Sequence, residues 1–493
     1  MYLSIFRRKY FGVMLLGFFV LAACATYLIV SWRASGFGFP LDDAWIHQVY
    51  ARNLAQNHAW EFIPGKPSAG STAPLWTFLL ALESWGKAPP YVWTFGLGIL
   101  SLFALAVAGN WYAKYSLNWK ANLPFAGIFL VLEWHLCWAA LSGMETIFYA
   151  GIILWLFVLI AIPNPRWLVL GLVVGIAVWI RPDAITLLGP LGWILLLSKL
   201  TLKEKFTRSS QVALGLMMGL IPYFIFTFLI SGSLLPNTFY AKQAEYVSLL
   251  ATPFTSRFLS LLGQPFIGAG IVLLPGVVWK IWISIRNRQI AIQAAWLWWL
   301  GFTALYTLRL PVVYQYGRYL IPAMPVIWLV GLGGSLDLFK KLAEVKKVGF
   351  ILRSVWIISF MLILVGFWGF GAFRYAQDVR VINEEMVASA KWIAENTPSN
   401  ALIATHDIGA IGYFSHRNLI DLAGLVSPEV IPFIRDEVRL AKYLDQQKAD
   451  YLVGFPSWYP QLIRDKPIVY STNGKAALEQ GYENMQVYLW RVK

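Results

Sequence analysis

Long apolar segments occupy the first 371 residues of the chain. Runs of about 18 or more apolar residues recur there, and this is the length that an α-helix needs to cross the hydrocarbon core of a bilayer. The pattern therefore predicts a polytopic α-helical membrane protein. The first apolar segment is too long for a signal peptide, so we expect a retained anchor helix. About eleven transmembrane helices are predicted, at residues 10–32, 91–113, 121–140, 146–162, 167–180, 184–199, 211–231, 264–283, 291–308, 319–336 and 350–371.

The pattern changes after residue 371. Five short apolar stretches have the character of β-strands (ALIAT, NLIDL, DYLVGF, PIVYS and MQVYLW), and INEEMVASAKWIAENTP and RLAKYLDQQ have helical periodicity. This part also holds 14 of the 25 acidic residues. We therefore predict two domains. A transmembrane module covers residues 1–371, with its first outer loop at 33–90, and a small soluble α/β domain covers residues 372–493.

Composition and charge support the membrane assignment. Of the 493 residues, 58% are hydrophobic and only 13% are charged, whereas a soluble protein carries roughly a quarter charged residues. The net charge of +15 comes from Lys and Arg concentrated in the loops that are cytoplasmic if the N-terminus is cytoplasmic, as the positive-inside rule requires. The basic excess is thus topological, and it gives no reason to expect a nucleic-acid partner. An odd number of spans then places residues 372–493 on the outer side of the membrane.

The stretch FPLDDAWIHQVYARNLAQNHAW places two adjacent carboxylates, Asp42 and Asp43, just beyond the first span. A carboxylate this close to the hydrocarbon core is costly, and it is therefore a candidate for a functional site. One of the two suits the N-cap of the helix that follows Pro40. The other is a like charge at short range, which raises the pKa of one partner and suits a general base for a sugar hydroxyl. Capping and catalysis both stay open at this point.

Two further outer helix ends carry acidic residues. In LSGMETIFYA, Glu145 follows Ser142 at the spacing of a capping box, so a structural role competes with a functional one. In WIRPDAITLL, Arg181 and Asp183 either neutralise each other in a tight hairpin or contribute to a site. The residues alone leave both alternatives open.

The stretches SGSLLPNTFYAKQ and QYGRYLIPAMP add two cations, Lys242 and Arg318, each beside a tyrosine just outside a span. Each alone is an ordinary snorkelling cation. Together with Arg181 they place three cations at the level of the outer carboxylates, which favours an anionic lipid headgroup beside a proton-abstracting acid. A carboxylate-bound divalent metal ion (Mg, Mn or Ca) is a further expectation. His47, four residues after Asp43, is a weaker candidate for a metal ligand.

These motifs together resemble a known family. LDDAWIHQVYARNLAQNHAWEFIPGKPSAGSTAPLW, SGMET, RPD, LPNTFYAK, GRYLIPAMP and DIGAIGYFSHRNLIDLAGL occur in the order found in bacterial GT-C membrane glycosyltransferases that use polyprenyl-phosphate sugars. The arabinofuranosyltransferase-like proteins are the most similar group. The resemblance implies a GT-C fold in the bacterial inner membrane, with the C-terminal domain outside. It also implies transfer of a sugar, arabinofuranose being one candidate, from a polyprenyl-phosphate donor to a hydroxyl of an extracytoplasmic glycan, lipid or protein.

The resemblance further implies residue roles. The first outer loop of GT-C enzymes carries an acid that acts as base or metal ligand, and Asp42 takes that position with Asp43 beside it. Glu145 matches the acid of the SGMET motif, so that the implied metal ligands are Asp42, Asp43 and Glu145. The implied donor-phosphate-binding residues are Arg181, Lys242 and Arg318. The implied substrate-binding residues are His47, Asn237, Tyr240 and Tyr319.

Two other functions are compatible with a polytopic chain. A membrane transporter usually places ionisable residues near the middle of the bilayer and has repeated halves or broken helices, whereas the acids here cluster at one outer surface. A polymerase or ligase that uses a lipid-diphosphate-linked glycan would depend on arginine and histidine rather than on a carboxylate pair. Both alternatives are less favoured than a glycosyltransferase.

Overall fold

The computed structural model describes residues 2–86, 89–119, 121, 123–342, 344 and 346–491, so the other residues of the two predicted domains and of the predicted span 121–140 lie outside it. The helices up to the predicted boundary are α1 (Tyr2–Ser35), α2 (Asp43–Asn57), α3 (Pro74–Gly86), α4 (Pro90–Ser116), α5 (Phe125–Leu132), α6 (Trp134–Ala140), α7 (Thr146–Ala161), α8 (Trp167–Val178), α9 (Leu188–Leu197), α10 (Leu202–Ser231), α11 (Asn237–Glu245), α12 (Phe254–Gly263), α13 (Gly270–Arg286), α14 (Ile290–Arg309), α15 (Tyr314–Gly317), α16 (Met324–Leu342) and α17 (Lys346–Ile382). They are followed by α18 (Ala388–Asn396), α19 (Ile408–Phe414), α20 (Glu437–Gln447) and α21 (Lys475–Glu479).

The predicted spans coincide with helices of unequal length. Five helical segments in the described part of the chain are long and apolar enough to cross a membrane: Phe11–Ser35, Pro90–Ser116, Leu202–Ser231, Tyr314–Leu342 and Lys347–Asn396. A sixth is added if Phe254–Phe266 and Gly270–Arg286, which are bent by 108°, count as one span. The remaining predicted spans correspond to helices that fall below this length or apolarity. The number of helices that are long and apolar enough to span a membrane is therefore lower, in the described residues, than the eleven spans expected from the sequence.

Close helix packing fixes the position of α8 against α10. Gly171 and Gly175 of α8 face Gly215 and Gly219 of α10, and a Cβ at Gly215 would lie only 2.7 Å from the amide nitrogen of Leu172. Small residues at such a crossing let two backbones approach closely, as is common between membrane helices. Because α8 ends at Val178, this contact also sets the position of the RPD motif that follows it.

The strands predicted after residue 371 are confirmed and form one mixed sheet. They are β3 (Leu402–Thr405), β4 (Asn418–Asp421), β5 (Tyr451–Gly454), β6 (Ile468–Ser471) and β7 (Gln486–Leu489), whereas β1 (Glu61–Ile63) and β2 (Lys66–Pro67) form a hairpin in the first outer loop. The order is β4-β3-β5-β7-β6. The first three strands are parallel, and β7 is antiparallel to both β5 and β6.

A continuous helix joins the membrane-embedded part to this sheet. Helix α17 passes through residue 371 and ends at Ile382, where the π-helical turn Asn383–Val387 leads into α18. Glu385 in this turn is fully buried, and its carboxylate accepts hydrogen bonds from the Thr472 hydroxyl and from the Met485 amide at 2.8 Å. The turn is thus tied to the sheet, while the domain boundary at residue 371 stays a prediction.

Helix α2 packs against helices from two distant parts of the chain. It packs on α3 from the same loop and on α19 from the C-terminal part. Trp45 is almost fully buried, and its ring lies 4.8 Å from that of Tyr413 and 4.7 Å from that of Phe414. The start of α2 is therefore enclosed between the membrane-embedded helices and the C-terminal part.

Candidate functional site

The two acids at the start of α2 have different partners. Asp42 makes no capping hydrogen bond to α2. Instead its Oδ2 accepts from the Gly409 amide at 2.7 Å and its Oδ1 from the Ala410 amide at 2.8 Å. These amides belong to the first turn of α19, whose donors have no partner inside the helix. Asp42 therefore accepts hydrogen bonds from the first turn of a helix, as the capping interpretation predicted. That helix is α19 of the C-terminal part, whereas the prediction was for α2.

This contact links the start of α2 to α19, so we expect Asp42 to stabilise the folded protein. Replacing Asp42 by Ala leaves the amides of Gly409 and Ala410, both buried, without an acceptor, and a buried unsatisfied donor costs about 1–3 kcal/mol. We expect Asp42→Ala to lower the thermal melting temperature of the purified protein clearly. Asp42→Asn keeps one carbonyl acceptor and should lower it less. Equal melting temperatures for Asp42→Ala and the wild type would contradict this stabilising role of Asp42.

Asp43 is instead bound to two of the predicted cations. Its Oδ2 lies 2.8 Å from Nη2 of Arg318 and 3.5 Å from Nζ of Lys242. The Tyr319 hydroxyl lies between the same two cations, at 3.1 Å from Lys242 Nζ and 2.9 Å from Arg318 Nη2. Three stretches that are far apart in sequence, the start of α2, α11 and the segment before α16, thus meet at Asp43.

The third predicted cation joins this group at the ring of Tyr319. The charged ends of Arg318, Lys242 and Arg181 lie 4.9, 5.5 and 5.6 Å from the ring centroid. We call Arg181, Lys242, Arg318 and Tyr319 the cation cluster. Three cations around one ring repel each other, and the π face offsets only part of that repulsion. Such an arrangement suits an anionic ligand.

Arg181 connects the cation cluster to a deeper group of acids. Its guanidinium lies 3.3 Å from Asp183 Oδ2 and 3.8 Å from Glu145 Oε1. It also donates to the Tyr306 hydroxyl at 2.6 Å, and that hydroxyl donates in turn to Asp183. In the RPD motif, Arg181 and Asp183 thus form an ion pair, and Arg181 is also part of the cation cluster.

The predicted capping box at Glu145 is not formed. The Ser142 hydroxyl donates to a carbonyl of α6, and Glu145 makes no capping hydrogen bond to α7. Glu145 Oε2 lies 3.7 Å from His47 Nε2, while His47 Nδ1 is 3.1 Å from the hydroxyls of both Ser71 and Thr77. Glu145 and His47, both buried, therefore belong to the inner side of the site.

The environments of the two adjacent acids push their pKa values apart. Burial raises the pKa of Asp42 to about 6, although its two backbone hydrogen bonds oppose the shift. Burial also acts to raise the pKa of Asp43, but the positive charges of Lys242 and Arg318 outweigh it and hold that pKa well below its usual range. Asp43 is consequently a carboxylate held ionised by the cations beside it.

Two of the predicted substrate-binding residues lie apart from the cation cluster. Asn237 is buried at the start of α11, where its backbone N–H donates to the Ala69 carbonyl at 3.2 Å. The Tyr240 side chain is 44% exposed, and its ring contacts Phe239. Both residues share α11 with Lys242, so they flank the site without contacting its charged groups in the described structure.

The C-terminal part contributes residues that the sequence analysis did not assign to the site. His406 Nε2 lies 3.3 Å from Glu245 Oε1, and Glu245 ends the helix that carries Lys242. Next to it, burial and the negative charge of Asp42 raise the pKa of Asp407 to about 8. The sequence signal was THDIG at the end of the predicted strand ALIAT.

The carboxylates do not fit a shared metal site. Asp42 is bound by two amides, Asp43 by two cations, and Glu145 faces Arg181 and His47. In the part of the chain that the structure describes, no group of three or more His, Cys, Asp or Glu residues is arranged to hold a metal ion.

Comparison with known proteins supports the fold. A family described as a domain of unknown function (DUF8728) matches residues 372–489. A search of curated protein sequences found no match. Among solved structures, ArnT from Cupriavidus metallidurans bound to undecaprenyl phosphate is similar, with a TM-score of 0.58, 14% identity and coverage of 97% of this chain and 98% of that chain.

A second solved structure extends the likeness. The oligosaccharyltransferase of Archaeoglobus fulgidus in its apo form has a TM-score of 0.58 and 10% identity, covering 88% of this chain and 69% of that chain. The apo state of the Cupriavidus ArnT gives the same TM-score of 0.58 over 96% of this chain. At such low identity the likeness concerns the fold. The chain has a polytopic GT-C membrane fold with a C-terminal sheet domain, as the sequence predicted.

Proposed function

We propose that the protein is a glycosyltransferase that moves a sugar from a polyprenyl-phosphate donor to a hydroxyl acceptor on the outer side of the bacterial inner membrane. The observation that carries the proposal is the contact of Asp43 with Arg318 and Lys242 beside Tyr319. It places a carboxylate directly against the cations that suit a phosphate. The similar ArnT structure contains undecaprenyl phosphate, which makes this lipid the first donor carrier to test.

The donor phosphate would bind in the cation cluster. Arg318 offers paired N–H donors that match phosphate oxygens, whereas Lys242 acts as a point charge. Burial opposes the charged form of Lys242, yet the negative charge of Asp43 raises the pKa of Lys242, so the lysine stays protonated. When the bond between the anomeric carbon and the phosphate breaks, these cations stabilise the charge that develops on the leaving polyprenyl phosphate.

Asp43 is the carboxylate that we assign to proton transfer. The acceptor oxygen attacks the anomeric carbon, the carbon–phosphate oxygen bond breaks, and the acceptor proton passes to Asp43. Both oxygens of Asp42 already accept amide hydrogen bonds, so the base role passes to its neighbour. A donor phosphate would draw Arg318 and Lys242 away from Asp43 and thereby raise the pKa of Asp43 when a base is needed.

The assay that tests this function uses purified protein with undecaprenyl-phosphate sugars, beginning with arabinofuranose, and acceptors of three kinds: a glycoside, a lipid alcohol and a serine peptide. We expect a new glycosidic bond and release of undecaprenyl phosphate, with activity retained in EDTA because the carboxylates do not fit a metal site. A transporter would form no bond. A polymerase or ligase would accept a lipid diphosphate instead, and either result would contradict the proposal.

A further inference from the structure

The C-terminal sheet has a topological switch point, the position at which open α/β sheets commonly bind ligands. Its parallel strands have the order β4-β3-β5, so the chain leaves β3 toward β4 on one side and later returns to pair with β3 on the other. This change of direction is a topological switch point, and ligands of such sheets bind beyond the carboxyl ends of the two strands beside it. Here those strands are β3 and β5.

Residues that follow these two strands contact one another. His406 and Asp407 follow β3, and Trp458 and Tyr459 follow β5. The His406 ring lies edge-on to the Trp458 ring at 4.9 Å, and His406 Nδ1 is 2.8 Å from the Tyr459 hydroxyl. We call His406, Asp407, Trp458 and Tyr459 the switch-point crevice.

Two features of the switch-point crevice indicate a ligand. Trp458 is 44% exposed, whereas Trp392 and Trp490, the other tryptophans after residue 371, are half-buried and buried. Asp407 Oδ2 is buried without a hydrogen-bond partner, and such a group in a folded protein is normally satisfied by water or by a ligand. The exposed indole contacts His406, and the unsatisfied carboxyl group belongs to the next residue, so that an apolar face and a hydrogen-bonding group both lie beside His406.

The crevice lies beside the site proposed above. His406 Nε2 contacts Glu245 Oε1 at 3.3 Å, and Glu245 is three residues after Lys242, about one helical turn along α11. The Arg435 guanidinium donates to the Glu245 carbonyl and holds the same helix end on the C-terminal part. Asp42 and Asp43 are also close enough to raise the pKa of Asp407. A molecule bound in the crevice would therefore adjoin Asp43.

We propose that the switch-point crevice binds a sugar ring of the acceptor. The apolar face of a sugar ring stacks on an indole, and a ring hydroxyl would form a hydrogen bond with Asp407 Oδ2. This proposal rests on the proposed function, because it makes the acceptor a carbohydrate and places its reactive hydroxyl toward Asp43. It assigns acceptor recognition to the C-terminal part and donor binding to the cation cluster.

The test compares Trp458→Ala with the wild type in two measurements. In the transfer assay we expect the KM for a methyl glycoside acceptor to rise about tenfold, the scale of one lost stacking contact, while the Kd for undecaprenyl phosphate stays within about twofold. Tyr482→Ala is the control, since Tyr482 is 61% exposed in the same part of the chain and outside the crevice. An unchanged KM, or a serine peptide as the better acceptor, would overturn the proposal.

The second measurement does not depend on turnover. Saturation-transfer NMR with methyl glucoside, methyl mannoside and methyl arabinofuranoside should detect binding to the wild type and to Tyr482→Ala, and a much weaker signal with Trp458→Ala. Equal signals from all three proteins, or no signal from any glycoside with the wild type, would overturn the crevice proposal. A third outcome separates the two proposals. If the wild type binds glycosides, Trp458→Ala does not, and the wild type shows no transfer activity, only the proposed function is refuted.

Discussion

Replacing Asp43 by Asn should reduce the kcat of sugar transfer by about 10²–10⁴-fold, the range of general-base catalysis, and should tighten the binding of undecaprenyl phosphate. The first effect follows because the amide cannot accept the proton of the acceptor hydroxyl. The second follows because Asp43 competes with the donor phosphate for Arg318 and Lys242, which it contacts at 2.8 and 3.5 Å. A transfer assay and a titration with undecaprenyl phosphate measure the two effects separately.

The matched control for Asp43→Asn is Asp337→Asn. Asp337 also forms an ion pair, at 2.7 Å from Lys280 Nζ. It lies about 20 Å along α16 from the start of that helix, whereas Arg318 lies just before that start. Its replacement should leave both the kcat and the affinity for undecaprenyl phosphate unchanged. A normal kcat in Asp43→Asn would remove Asp43 from the base role, and weaker binding of undecaprenyl phosphate would refute the competition.

Replacing Arg318 by Ala should weaken undecaprenyl phosphate binding about 10–100-fold, because one charge-assisted hydrogen-bonding group is worth about 1.5–3 kcal/mol. The kcat should fall as well, since the leaving phosphate loses a stabilising charge. Arg318→Lys keeps the charge but loses the paired donors, so we expect an intermediate affinity. A binding titration together with the transfer assay checks both effects.

Arg309 provides the control for Arg318. It ends α14 and lies over the Phe239 ring at 4.4 Å from the centroid, where it contacts the helix that carries Lys242 without joining the cation cluster. Arg309→Ala should bind undecaprenyl phosphate like the wild type. Equal losses for Arg309→Ala and Arg318→Ala would show that general surface charge, rather than the cation cluster, attracts the lipid.

The broad fold was accessible from the sequence because the apolar periodicity is strong and the period changes after residue 371. Breaks inside the helices were less accessible. The span predicted at 121–140 is interrupted at Glu133, which caps α6 by accepting a hydrogen bond from the His135 amide at 2.9 Å. An acid inside an apolar run is visible in the sequence, but the cap forms only because the chain turns there.

The residues that meet in the candidate site were partly predictable, because the predicted topology places several charged helix ends at one level. Arg181, Lys242 and Arg318 were found in this way, and they meet around Tyr319. It was not predictable which of the two acids, Asp42 or Asp43, contacts the cations and which contacts the amides of α19. Consecutive residues at a helix start point about 100° apart, and only the docking of α19 decides which of the two faces the cations.

The contribution of the C-terminal part could not be predicted from local patterns. His406 and Asp407 follow a strand, as many turn residues do, and nothing in THDIG indicates a contact with Glu245. Their place in the site comes from the way α19 packs against α2 and the turn Pro428–Phe433 packs against α11. The order of the strands, which creates the switch point, is also a tertiary property.

The most direct test of the central claim is an experimental structure of the protein in complex with undecaprenyl phosphate. We predict that the phosphate oxygens lie within hydrogen-bonding distance of Arg318 and Lys242, and that Asp43 no longer contacts either cation. A phosphate bound elsewhere, with the contact between Asp43 and Arg318 still at 2.8 Å, would contradict the account.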